Sequence, residues 1–290
     1  MIATISMMAW LAAVGGAPVA AVDDPLTRPI ASSRTAEWLA PVPPEKLFGT
    51  SYLVGFGGMS VGLIDTGDGL VLIDGALPQA APAILANVRQ LGFDPKAIKF
   101  ILSTEPHFDH AGGLAALARD TGATVVASVR GAEGLRSGRH AADDPQLAYG
   151  GSWPAVTRLR VMRDGEVLKL GKTVITAHAT PGHTMGSMSW SWRACEGKQC
   201  KAIVFSSSLN PVSADDYRFT SAAGAPFVAA FAQSYRTMDA LACDILISAH
   251  PDNAGAARFN AAPGACRAYA DRSRKALAKR LAEERAGKAK

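Results

Sequence analysis

The chain has 290 residues, of which 48% are hydrophobic and 19% charged, so it can bury a sizeable core and is not a disordered protein. Its net charge of +5 is unevenly placed: Arg267 to Lys290 carries nine Lys/Arg against three Asp/Glu, which leaves the rest of the chain near neutral. The basic character is therefore the solvated face of one C-terminal helix, which argues against a nucleic-acid groove.

In chain order, Ile2 to Ala21 is apolar and rich in small residues, with Val19-Ala20-Ala21 as a cleavage site. Residues 1–21 read as an export signal ahead of a single domain, 22–290. The apolar part is too short, and too broken by Gly15, Gly16 and Pro18, to be a good membrane span. Residues 22–46 are rich in proline and suggest an arm packed on the body. Strand-like runs follow at Ser51–Val54, Met59–Asp65 and Leu70–Asp74, punctuated by Gly-Phe-Gly-Gly and Thr-Gly-Asp-Gly. Helical spacing marks Pro82–Leu91, closed by Gly92. Next come a strand at Ile98–Ser103, a helix from Gly113 to Arg119 ending near Gly122, and a strand at Thr124–Ser128. Residues 130–153 read as a helix and then a long loop. Thr157–Met162, Val167–Leu170 and Thr173–Ala177 are strand-like, and Ser187–Trp192 with Ala202–Ser207 make a hairpin. Pro226–Leu241 is helical, Ile245–Ala249 a strand, and Ala265–Arg285 a closing helix. Strand blocks and helices thus alternate twice in a similar order. This predicts an α/β protein of two packed sheets with helices outside, both halves feeding one edge.

Export implies an oxidising compartment, and the four cysteines fit it. Four cysteines allow three pairings. We favour Cys243–Cys266, on either side of the last strand and its loop, and Cys195–Cys200, flanking a polar loop. No C-x-x-C pair is present, which argues against a cysteine zinc site.

The chemistry concentrates in Glu105-Pro-His-Phe-Asp-His110, just after an apolar strand. Glu105, His107, Asp109 and His110 are four metal-type ligands within six residues, which packing does not explain. His183 in Thr-Pro-Gly-His-Thr and His250 at the end of an apolar run complete six candidates. Alone, either histidine would be read as structural; with the cluster, both read as ligands. Glu105, His107 and His183 would hold one zinc, and Asp109, His110 and His250 a second. Two zinc ions sharing a hydroxide would supply a nucleophile at neutral pH, with Asp109 fixing its orientation. Asp74, at a strand end, reads either as an ordinary turn residue or, as we favour, as an acceptor that orients a ligand. His178 reads as packed and His140, near Asp143 and Asp144, as solvated. Ser206, Ser207 and Ser208 lack the G-x-S-x-G elbow of a serine nucleophile.

These residues resemble the H-x-H-x-D-H signature of the metallo-β-lactamase superfamily. More narrowly, Leu72-Ile-Asp-Gly-Ala-Leu-Pro-Gln79, His107-Phe-Asp-His-Ala-Gly-Gly113, Thr180-Pro-Gly-His-Thr-Met-Gly-Ser187, Ser208-Leu209 and the Cys243/Cys266 pair are similar to subclass B3. The similarity runs from about Ala36 to Ala270. It implies an αβ/βα sandwich of two mixed sheets with helices on the outer faces, a dizinc site at one sheet edge, periplasmic or secreted location and a monomer. It also implies hydrolysis of the β-lactam amide of penicillins, cephalosporins and carbapenems, antibiotic resistance, and Ser208 and Asn210 near the substrate carboxylate. Glu105 stands where the family usually has histidine. A lactonase or thioester hydrolase on the same fold is the alternative enzyme, since each needs the same attack on a carbonyl. A zinc-binding protein without turnover is the alternative from another class.

Overall fold

The computed structural model describes residues 23–255 and 258–288; the expected signal at 1–21 lies outside them. Twelve strands among the described residues form two sheets. The first contains β1 (Glu45–Phe48), β2 (Ser51–Leu53), β3 (Gly62–Asp65), β4 (Leu70–Ile73), β5 (Ile98–Leu102), β6 (Thr124–Ala127) and β7 (Leu159–Val161), in chain order. Pairing is antiparallel from β1 to β4 and parallel from β4 to β7. The second contains β8 (Val167–Leu170), β9 (Thr173–Ala179), β10 (Met188–Glu196), β11 (Gln199–Ser206) and β12 (Ile245–Ser248). Its order is β12-β11-β10-β9-β8, with only the β11–β12 pair parallel.

The helices are α1 (Thr35–Trp38), α2 (Ala81–Gln90), α3 (Phe108–Ala111), α4 (Leu114–Thr121), α5 (Val129–Ser137), α6 (Ala225–Ala240) and α7 (Ala265–Arg285). Successive residues of a strand face opposite sides of its sheet, so an unbroken apolar strand needs cover on both. In β4, Leu70 and Leu72 pack towards α2 and α4, while Val71 and Ile73 face the other sheet. In β11 and β12, Ile203, Phe205, Ile245 and Ile247 face the first sheet, while Val204 and Leu246 pack against α6 and α7. The apolar layers thus run helix, sheet, sheet, helix, as expected for the αβ/βα sandwich.

Gly62 lets the sheets approach closely: a Cβ there would stand 3.2 Å from the Phe205 ring. Two tryptophans of β10 also cross between sheets, Trp190 Nε1 donating to Ser103 O (3.2 Å) and Trp192 Nε1 to Ser51 Oγ (2.9 Å).

Three details differ from the sequence reading. β3 begins at Gly62 rather than Met59, because residues 54–61 turn back on themselves, with Val54 N–H donating to Val61 O and Phe56 N–H to Met59 O. The β10–β11 hairpin is longer than the apolar runs suggested. Cys195 and Cys200 lie inside the strands, directly opposite each other, and are disulfide-bonded. His140 is buried rather than solvated, its side chain 3% exposed, because the loop after α5 folds it against Trp153 and beside Asp144. Cys243 and Cys266 are bonded, tying the approach to β12 to the first turn of α7.

Candidate metal centre

The six candidate ligands meet at the edge where strands of both sheets end. β5 delivers Glu105 and His107 through the loop 103–107, and the one-turn α3 places Asp109 and His110 side by side. His183 follows β9, and His250 follows β12. Among the described residues three sets have candidate ligand atoms within 4.8 Å of one another: Glu105/His107/His183 and Asp109/His110/His250, which use the six, and His107/His140/Asp144 beside them.

Each of the four histidines has one ring nitrogen engaged at, or facing, a protein oxygen. His183 Nδ1 is 2.8 Å from Asn210 O, and His250 Nδ1 is 3.1 Å from Gly58 O. His107 Nε2 is 3.0 Å from Asp144 Oδ2, and His110 Nδ1 is 3.4 Å from Asp74 Oδ2. A donated N–H fixes the tautomer and leaves the other nitrogen a lone pair for a metal.

The inward atoms crowd together. His110 Nε2 is 3.1 Å from His250 Nε2 and 2.9 Å from Glu105 Oε1. Asp109 Oδ2 is 3.2 Å from His250 Nε2, and Glu105 Oε1 is 3.7 Å from His183 Nε2. Glu105 is fully buried and ion-paired through Oε1 with His110. Ligands at about 2.1 Å from one tetrahedral ion stand about 3.4 Å apart. The spacing and the nitrogen–oxygen donor set fit a metal ion.

Charge accumulates here. Burial disfavours the ionised form of Glu105, yet the surrounding His110, His183 and His107 hold its carboxyl well below the usual range. Burial likewise opposes ionisation of Asp109, and His110 and His250 overcome it. Burial would lower His110, but Glu105, Asp109 and Asp74 push it well above its ordinary value. His183 is pulled down by burial.

Asp74 is fully buried and has φ 65° at the end of β4, an uncommon conformation that aspartate tolerates better than most residues. Its Oδ1 accepts Thr104 N–H at 2.7 Å and its Oδ2 Thr104 Oγ1–H at 2.6 Å. It therefore holds the residue before Glu105 as well as facing His110.

The centre opens on a cavity of about 460 Å³ whose lining includes Trp38, Asp109, Gln146, Tyr149, His183 and Asn210. Asn210 thus faces the cavity. Ser208 does not: it is fully buried behind Glu105, and its N–H donates to Glu105 Oε2 at 2.9 Å. The tight turn after β11 puts its backbone, rather than its hydroxyl, against the ligand. His178 is packed, bonded to Ser191 Oγ.

Sequence reasoning gave no role to Asp144, Gln146 or Trp38. Asp144 accepts from His107 and from Gln146 N–H; burial opposes its ionisation but His107 holds it low. The Gln146 amide lies 3.1 Å from His183 Nε2. Trp38, from the N-terminal arm, sits with its ring 5.6 Å from that of His250. The Asp143-Asp144 pair next to a histidine was the only signal for the first of these.

The metallo-beta-lactamase superfamily profile matches residues 54–191. A structure described as the first B3 metallo-beta-lactamase with an active-site glutamic acid is 77% identical, with TM-score 0.90, covering 91% of this chain and 99% of that one. A subclass B3 enzyme from a soil metagenome library, MEM-A1, is 43% identical, with TM-score 0.82 and 86% and 99% coverage. The uncharacterized protein YobT of Bacillus subtilis (strain 168) is 36% identical over 134 residues, 44% of this chain and 54% of its own length. The chain thus spans about half of that curated relative. Near-complete coverage at this identity, together with the shared sandwich, places the chain in the metallo-β-lactamase superfamily, among the subclass B3 hydrolases.

Proposed function

We propose that the protein is a zinc-dependent β-lactamase that hydrolyses the β-lactam amide, with two zinc ions held by Glu105/His107/His183 and Asp109/His110/His250. The observation that carries this reading is the convergence of six donors, five buried and His250 half-buried, each histidine with a protein oxygen facing one ring nitrogen, at the mouth of the cavity. Bound zinc lowers the pKa of water to about 7 and polarises a carbonyl. The chain's own residues do the rest. Asp109, held ionised at the cavity surface, orients the attacking water. Asn210 offers an amide to the substrate carboxylate. Trp38 and Tyr149 give the walls aromatic surface that excludes water from the reacting bond. Asp144 and Asp74 hold His107 and His110 in register.

Glu105 adds one negative charge where the family usually has a neutral imidazole. It weakens the pull of the ions on water and on an anionic substrate. Activity of Glu105→His above that of the wild type, with an acid-shifted pH–rate profile, is expected; an unchanged profile would contradict this role. Residues 1–21 act as an export signal, which places the mature single domain in the periplasm or outside the cell as a monomer and makes antibiotic resistance its physiological output. Among the described residues no helix is long and apolar enough to cross a membrane.

The test is a substrate panel on the zinc-loaded protein: a penicillin, a cephalosporin, a carbapenem, a lactone and a thioester. β-Lactam turnover well above the others supports the proposal. Lactone or thioester turnover without β-lactam turnover would replace it with the alternative hydrolase.

A further inference from the structure

Glutamate differs from histidine in carrying two donor atoms on one carbon. At Glu105 one of them is engaged, because Oε2 accepts the Ser208 N–H at 2.9 Å. The other, Oε1, is buried among the histidines of the centre. It lies 2.9 Å from His110 Nε2 and 3.7 Å from His183 Nε2. His183 belongs with Glu105 in one ligand set, and His110 belongs to the other. Oε1 therefore stands between the two sets, paired with a nitrogen of the set to which Glu105 does not belong. A histidine could present only one lone pair to one ion, whereas a carboxylate oxygen has two usable lone pairs.

We propose that Glu105 is a shared ligand whose Oε1 bridges the two metal ions while Oε2 stays on the Ser208 N–H. The inference rests on the two-ion reading above and says how this chain departs from a six-residue set with separate ligands. Three features support it. The position of Oε1 is set by the backbone of Ser208, which is itself fully buried, so the carboxylate has little freedom to turn both oxygens onto one ion. Leu209 N–H donates to Tyr269 Oη at 3.1 Å, so helix α7 braces the same turn. His110 Nε2 also stands 3.1 Å from His250 Nε2, so Oε1 approaches the nitrogens at the heart of the second set. A bridging Oε1 occupies space between the ions that a histidine at this position would leave to water, and it couples the binding of one ion to that of the other.

The test is a crystal structure of the zinc-soaked protein with diffraction data collected at the zinc absorption edge. The proposal predicts two ions with Oε1 within about 2.0–2.3 Å of both, and the Ser208 contact kept. In Glu105→His, the ion on Asp109, His110 and His250 is expected to lose one protein ligand. Glu105 bound to a single ion, through one oxygen or both, would overturn the bridge and leave the metal centre standing. A protein that retained no zinc would overturn the metal-dependent reading itself.

Discussion

His107 depends on Asp144 for its orientation, since the carboxylate 3.0 Å away selects which ring nitrogen faces the centre. Removing such a partner typically costs 10–100-fold in metal affinity. Asp144→Asn should therefore weaken zinc binding by about 10–100-fold in competition with a chromophoric chelator, while unfolding of the metal-free protein stays cooperative at a lower Tm; wild-type affinity would contradict the role. Protonation gives a second expectation at this scale. In the metal-free protein, burial lowers His107 and His110 but their carboxylate neighbours outweigh it and raise both. Raised groups contribute stability that is full below their unfolded value, about 6.5, and is lost as pH rises through the folded value. Asp144 is depressed, so its contribution is present above about 3.9 and lost as pH falls towards its folded value. Metal-free protein should melt highest between about pH 4 and 6.5, while zinc, which needs unprotonated imidazole, moves the maximum upward. Calorimetric melts with and without chelator check this, and a metal-free Tm rising steadily from pH 5 to 8 would contradict it. The clustering of the six candidate ligands was legible in the sequence because four fall within six residues after an apolar strand. Asp144 and Gln146 were not, because their partners His107 and His183 lie 37 residues away in the chain and meet them only through the fold. His140 was misread for the same reason, its burial being supplied by Trp153 in a following loop.

At the scale of elements, strands aim the ligands and turns fix the angle. His183 sits after Gly182, whose φ of 137° suits glycine and whose Cβ position lies 2.5 Å from the Phe231 ring of α6. Gly182→Ala should strain this turn, displace His183, and lower both zinc retention and stability, the latter by more than about 1 kcal/mol. Denaturant melts and zinc competition measure the two effects, and a neutral substitution would show that the turn does not position the ligand. The Cys243–Cys266 bond closes a separation of 23 residues and braces β12, which ends just before His250, against α7. Replacing both with alanine should cost about 3 kcal/mol on the chain-entropy account, read by denaturant melts under non-reducing conditions. An effect under 1 kcal/mol would mean the strand–helix packing needs no such brace. Strand and helix positions were legible from apolar period and glycine punctuation. The extra length of β10 and β11 was not, because Arg193, Glu196 and Gln199 have no apolar pattern and are held in strand by pairing with the partner strand.

For the whole molecule, two sheets ending at one edge bring together residues 105 to 250 along the chain, and the N-terminal arm adds Trp38 to the cavity wall. The layering was legible because β4, β11 and β12 are apolar on both faces, which demands cover on each side. The arm's part in the cavity was not, because its few apolar residues carry no period. The account stands or falls on metal-dependent turnover. Cephalosporin hydrolysis should be followed while zinc is stripped with a chelator and then returned in measured equivalents. The account predicts loss of activity on stripping and recovery on return, to kcat/KM of about 10⁴ M⁻¹s⁻¹ or more. Hydrolysis that survives complete zinc removal, or its absence with both sites filled, would contradict it.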